Sequence, residues 1–187
     1  MDQRGLVELA QRGDHDAFAV LTRAAVARLD AAARLILRDR ELARDAVQDT
    51  LLYAWRNLPG LREPERFDAW LHRLLVRSCI DLLRRRRSRP IEVELTPLGG
   101  PVTGDIEADV VERETVEHAL RQLDPSWRAL VVLHYFLGMP LPEASAILGI
   151  PLGTAKSRLH RAIGLMRDAI ADDSAMELGV VARGNVS

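Results

Sequence analysis

Residues 142–161 read PEASAILGIPLGTAKSRLHR, and the spacing of small, apolar and basic residues in this stretch decides the fold. Gly149 can adopt the left-handed conformation that closes one short helix. Ser145 is small enough for a close helix crossing, and a second helix is predicted to begin near Gly153. On that second helix Ala155, Leu159, Ala162 and Met166 fall at i, i+4, i+7 and i+11, which places them on one buried stripe. Thr154, Ser157 and Arg161 then point the other way, flanked by Lys156 and Arg158. This is the layout of a helix-turn-helix. Short hydroxyl side chains and arginine near the start of the second helix suit the major groove, because arginine can grip guanine through two hydrogen bonds. The free amides of the helix start favour phosphate. The plainer alternative is a solvated basic face on an ordinary bundle.

Upstream, helical periodicity runs from about Asp109, broken at Asp124-Pro125 and Gly138-Met139-Pro140, so four helices are expected in this half. Asp124 is placed as an N-cap with proline at the first helical position. Four more helices are expected from Leu6 to about Arg87, with breaks at Gly13-Asp14 and over residues 57–64, and Asp14 or Asp16 can cap the second of them. The expected organisation is an all-α chain of two small helical domains. They span 1–87 and 109–171, joined by a flexible linker over 88–108 and followed by a loose tail over 172–187, in which Met176-Glu177-Leu178 can form a turn of helix. Proline and glycine gather in the linker, which also turns acidic.

In the first domain the helix from about Ala69 to Arg87 carries Leu71, Leu74, Leu75, Ser78 and Leu82 on one face and Arg73, Arg77 and Arg84 on the other. A basic stripe opposite an apolar one is an electrostatic track for a phosphate backbone. The loop from Arg56 to Arg66 precedes it, followed by Phe67 and Trp70, aromatics that can either stack on unpaired bases or belong to the core. The preceding helix turns Ala43, Ala46, Val47, Thr50, Leu51 and Ala54 inward and Asp45, Gln48, Asp49 and Leu52 outward. Carboxylates around a leucine repel phosphate, so this face is read as meeting a protein partner or water.

The whole chain has 187 residues and a formal net charge of −1, which conceals a strong segregation of sign. Arg84, Arg85, Arg86, Arg87 and Arg89 form a basic block, and Glu92, Glu94, Asp105, Glu107, Asp109, Glu112 and Glu114 follow it. Cys79 is the lone cysteine, which excludes an internal disulfide framework and makes a reducing compartment the default. His15, His72, His118, His134 and His160 are scattered, so neither metal-ligand spacing nor a catalytic constellation is visible. No catalytic residue, metal or cofactor is expected. No stretch approaches the roughly 20 apolar residues of a membrane span, so no membrane insertion and a cytoplasmic location are expected.

Four segments taken together carry a resemblance: LARDAVQDTLLYAW at 42–55, FDAWLHR at 67–73, IDLLRR at 80–85 and LGIPLGTAKSRLHRA at 148–162. In this order they resemble the extracytoplasmic-function group of bacterial sigma factors, over about residues 5–170. The resemblance implies two partners, core RNA polymerase (its beta-prime clamp helices and beta flap) and promoter DNA, and commonly an anti-sigma factor. Asp45, Gln48, Asp49 and Leu52 would dock on core polymerase. Asn57, Leu58, Arg62, Phe67, Trp70, Arg73, Arg77, Ser78 and Arg84 would recognise and open the minus-10 element. Thr154, Lys156, Ser157, Arg158 and Arg161 would read the minus-35 element as duplex. Melting needs no bond chemistry: a flipped base in a pocket and phosphates on arginines offset the few kcal/mol that unstacking costs.

The sequence departs from the family at Ser78, where asparagine is usual, at Pro140, which replaces a capping serine or threonine, and at Ala144 and Ala155, where bulkier residues are common. Two other readings stay open from the residues alone. One is a helix-turn-helix regulator with a dimerising or ligand-binding first domain. The other is a nuclease on a basic scaffold, for which the clustered carboxylates are missing.

Overall fold

The computed structural model describes residues 2–88 and 115–184, and these are helical with no strand. In the first half come α1 (Gln3–Gln11), α2 (His15–Leu37), α3 (Arg40–Asn57) and α4 (Phe67–Ser88), with single 3-10 turns at Leu58–Gly60 and Pro64–Arg66 between the last two. In the second half residues 115–121 form α5, followed by α6 (Pro125–Val131), a π turn (Val132–Phe136), α7 (Leu141–Leu148) and α8 (Leu152–Gly184). The flexible linker expected over 88–108, with its acidic residues, lies outside the described residues beyond Ser88. The tail expected to be loose from 172 instead continues α8 as helix to Gly184.

Each early helix starts where an aspartate can accept an otherwise orphaned amide. Asp2 accepts from Gly5 N at 2.9 Å and Asp14 from Ala17 N at 3.0 Å, so Asp14 rather than Asp16 caps α2. Asp39 accepts from both Glu41 N (3.1 Å) and Leu42 N (3.0 Å). α2 ends at Arg38, which holds the left-handed conformation usual for a glycine there (φ 56°, ψ 31°).

Leu29, Ala32, Ala33 and Ile36 of α2 meet Ala43, Ala46 and Ala54 of α3 and Leu71, Leu75 and Val76 of α4 in one buried core. Alanines along α3 let its neighbours approach closely. Cys79 is sealed in this core, and burial pushes its thiol up to about 12. In the second half Ala129, Leu130, Leu133 and Met139 pack against the stripe Ala155, Leu159, Ala162 and Met166 of α8.

The two halves are packed on one another, α2 against α6 and the π turn and α4 against α7. Arg128 of α6 is buried at this junction and donates from Nε to Ile36 O, 2.9 Å away at the C-terminal end of α2, and from Nη1 to Leu123 O at 3.4 Å. Helix C-termini carry partial negative charge, so a cation is favoured there. Burial still lowers the Arg128 pKa to about 10, with Arg38 adding to the fall and Asp124 opposing it. Asp124 occupies the N-cap position of α6 as expected, but its side chain makes no capping bond.

Candidate nucleic-acid interface

α8 is positioned by the turn before it. Gly149 takes φ 66°, ψ 34°, and Ile150 N then reaches Ser145 O at 3.0 Å, closing α7. Ser145 is itself buried and donates to Pro142 O at 2.8 Å, so its hydroxyl is satisfied at the helix crossing. With its apolar stripe locked inward, α8 leaves Lys156, Ser157 and Arg161 exposed and Thr154 and Arg158 half-buried. Ser157 Oγ donates to Thr154 O at 3.0 Å, which leaves its lone pairs outward. The segment reads as expected: a helix start with exposed donors at the positive end of its dipole.

The loop from α3 to α4 is held from beneath at both ends. Leu58 and Phe67, both expected at the minus-10 face, are fully buried, so they anchor the loop and do not reach DNA in this arrangement. A sequence pattern cannot tell which side of a loop an apolar residue faces, and burial of a leucine and a phenylalanine is the stronger force. Trp70 packs against Phe67 with ring centroids 6.1 Å apart and remains half-buried. Asn57 is exposed, with Nδ2 donating to Tyr53 O at 2.9 Å, and Arg62 is exposed at the loop tip.

Along α4, Arg77 and Arg84 face outward, Arg84 lying 3.8 Å from Asp81, and Ser78 is half-buried. Arg73 is different. Its Nε donates to Ala69 O at 3.3 Å and lies 3.4 Å from Glu143 Oε1 of α7, so the second half occupies the arginine expected to hold a phosphate. A shallow recess between the halves is lined by Ile80, Leu83 and Arg84 of α4 and by Leu148, Ile150 and Arg158. The expected separate cationic surfaces are therefore neighbours in this packed arrangement.

On α3, Asp45, Gln48, Asp49 and Leu52 are exposed together, and Val26 and Ala27 of α2 with Val47, Leu51 and Leu52 floor an apolar groove edged by Asp30, Arg44 and Gln48. An apolar floor and a polar rim are the ingredients of a protein contact. His72, buried on α4, is held below the usual imidazole range by burial and then by Arg28, with Asp68 opposing. Arg28 in turn donates to Phe136 O of the π turn at 3.1 Å. Sequence reasoning missed Gln11, Glu143 and Arg128, whose partners lie 47 to 92 positions away and leave no periodic trace. Among the described residues no helix is long and apolar enough to cross a membrane.

The family described as Sigma-70 region 2 matches residues 21–89, and Sigma-70 region 4 matches residues 113–166. The ECF RNA polymerase sigma factor SigM of Mycobacterium tuberculosis is 38% identical over 152 residues, 80% of this chain and 75% of the relative. SigW of Bacillus subtilis is 26% identical over 178 residues, covering 89% and 95% of the two chains. Among solved structures, CnrH in complex with the cytosolic domain of CnrY superposes with a TM-score of 0.64 at 30% identity, over 91% of this chain and 98% of that one.

Proposed function

The chain belongs to the extracytoplasmic-function family of RNA polymerase sigma factors, which direct core polymerase to promoters, and from that premise we propose which of its residues do which part of the work. Lys156, Ser157 and Arg161, with Thr154 and Arg158 beside them, read the minus-35 element in the major groove. The observation that carries this reading is the first turns of α8, where exposed donors stand opposite four buried apolar residues. Asn57 at the end of α3 and Arg62 at the tip of the α3–α4 loop meet the minus-10 element, with Arg77 and Arg84 along the strand and Trp70 and Ser78 at its edge. Asp45, Gln48, Asp49 and Leu52 dock on core polymerase. The protein carries no catalytic centre of its own and works in the cytoplasm, where its polymerase is.

Elements at −10 and −35 lie about 25 base pairs apart, about 85 Å at a rise of about 3.4 Å. The roughly 26 residues between Ser88 and Thr115 reach at most about 90 Å when fully extended. The packed halves therefore separate on a promoter, freeing Arg73 from Glu143 for a phosphate. In CnrH a cytosolic partner domain is bound, and an anti-sigma factor covering the same surfaces is the matching expectation here.

Reconstitution tests the reading. Core RNA polymerase with this protein starts transcription at specific sites in a genomic promoter library, and neither does so alone; failure across the library overturns it. Arg161→Ala weakens dependence on the minus-35 element and leaves core binding intact, and equal loss of both counts against the face assigned to α8.

A further inference from the structure

Gln11 is the last residue of α1, and its side-chain amide reaches across to the α3–α4 loop. Nε2 donates to Leu58 O at 3.1 Å and to Leu61 O at 2.7 Å, so both of its hydrogens are spent on that loop. Leu58 O also accepts from Leu61 N at 3.0 Å, which fills both of its lone pairs. The loop is thus held in three ways. Leu58 and Phe67 are buried at its ends, the 3-10 turns at Leu58–Gly60 and Pro64–Arg66 shape its arms, and Gln11 ties down the bend at Leu61 between them. α1 packs on both turns, with Val7 and Ala10 buried beneath. The residues left exposed by this arrangement are Asn57, Pro59, Gly60, Arg62, Glu63, Glu65 and Arg66.

We infer that Gln11 is a positioning residue for minus-10 recognition: it touches no DNA, and it fixes the loop so that Asn57 and Arg62 meet an extruded base in one geometry. The inference rests on the reading of this loop given above. A base taken out of the stack is selected by polar groups whose positions are set beforehand, because a loop that must order itself on binding loses both affinity and discrimination. Two neutral hydrogen bonds at their usual net worth hold the ordered loop by about ten-fold or somewhat more. An asparagine here is too short for both carbonyls, and a glutamate has the same shape with no hydrogen to give.

The experiment uses holoenzyme assembled from core polymerase and the full chain, with a promoter and its single-base minus-10 variants. Open-complex yield is measured for Gln11→Glu, Gln11→Leu and Gln11→Lys, beside core affinity and Tm. Lysine keeps donors that can reach the carbonyls. The expected result is about a ten-fold loss of open complex on the best promoter for Glu and Leu, with the ratio between best and variant promoters compressed and core affinity unchanged. Lys returns the ratio toward the parent's. A residue that merely supports the fold lowers every promoter alike in step with Tm, and an unchanged ratio in Gln11→Glu overturns the inference. Binding of a single-stranded minus-10 oligonucleotide gives the same ratio should a variant assemble poorly. Asn57→Ala with Arg62→Ala separates the two claims: if this pair shifts the ratio and Gln11→Glu does not, only the role of Gln11 fails. If neither shifts it, the reading of the loop fails and takes the inference with it.

Discussion

The first three helices of the chain and the short helices of its second half begin in opposite ways. α1, α2 and α3 each start at an aspartate whose carboxylate accepts amides of the first turn. α6 and α7 start at Asp124-Pro125 and Pro140 with no side-chain capping bond, and proline there only avoids the cost of a missing partner. α6 and α7 have 7 and 8 residues, well below the length at which an isolated helix holds in water. The first half therefore carries its helix starts in local sequence. The second half borrows order from the α8 seam and from α2, to which it is tied by Arg128. The half proposed to read duplex DNA is the one whose shape depends more on its neighbours.

The largest expected effect falls on the self-supporting half. Phe67→Ala removes a fully buried ring beneath both the core and the loop, and urea unfolding should show a loss of about 3–5 kcal/mol. A loss below about 1 kcal/mol would break the picture of Phe67 as core. Arg128→Ala strips Ile36 O and Leu123 O of a charged donor and leaves a hole, but it also relieves a buried charge. The net expectation is a loss of about 1–3 kcal/mol, with calorimetry resolving the second half as an earlier transition. One unsplit transition at the parent Tm would mean that Arg128 does not couple the halves. Smaller again is the contrast between caps. Asp39→Ala should cost about 1 kcal/mol, while Pro140→Ser should gain only about 0.5 kcal/mol, because losing proline returns freedom to the unfolded chain.

The smallest effect concerns pH. Burial holds the His72 pKa below the ordinary imidazole value, so the unfolded chain binds the extra proton first as pH falls. Stability is therefore full above the ordinary imidazole pKa of 6.5 and declines as pH falls below it. The fall in Tm between pH 7.5 and 5.5 should shrink in His72→Gln. A slope unchanged by the substitution would assign the pH dependence to other groups.

The helix-turn-helix was legible because its information is local and periodic. Gly149 announced the left-handed turn, and Ala155, Leu159, Ala162 and Met166 are all buried as their spacing required. The inward and outward faces of α3 were legible for the same reason, with Ala43, Ala46, Val47, Thr50 and Ala54 inside and Asp45, Gln48 and Asp49 outside. Leu58 was expected at the minus-10 face and Phe67 stayed open between base and core; both are buried, and a segment without period gives no direction in advance. Arg128 occupies a core position that its charge disguises, and the Arg73–Glu143 contact joins two helices far apart in the chain. The helical extension of α8 was legible only as a turn at Met176-Glu177-Leu178, because the small and acidic residues around it read as tail composition.

Cys79 has a practical corollary. As the chain's lone thiol, it is enclosed and protonated across the working pH range, so maleimide reagents should pass it by. Thiols engineered at Asn57 and Ser157 would then be the addressable pair, and a donor and acceptor dye attached there would report, one molecule at a time, whether the two reading heads part when polymerase and promoter are supplied.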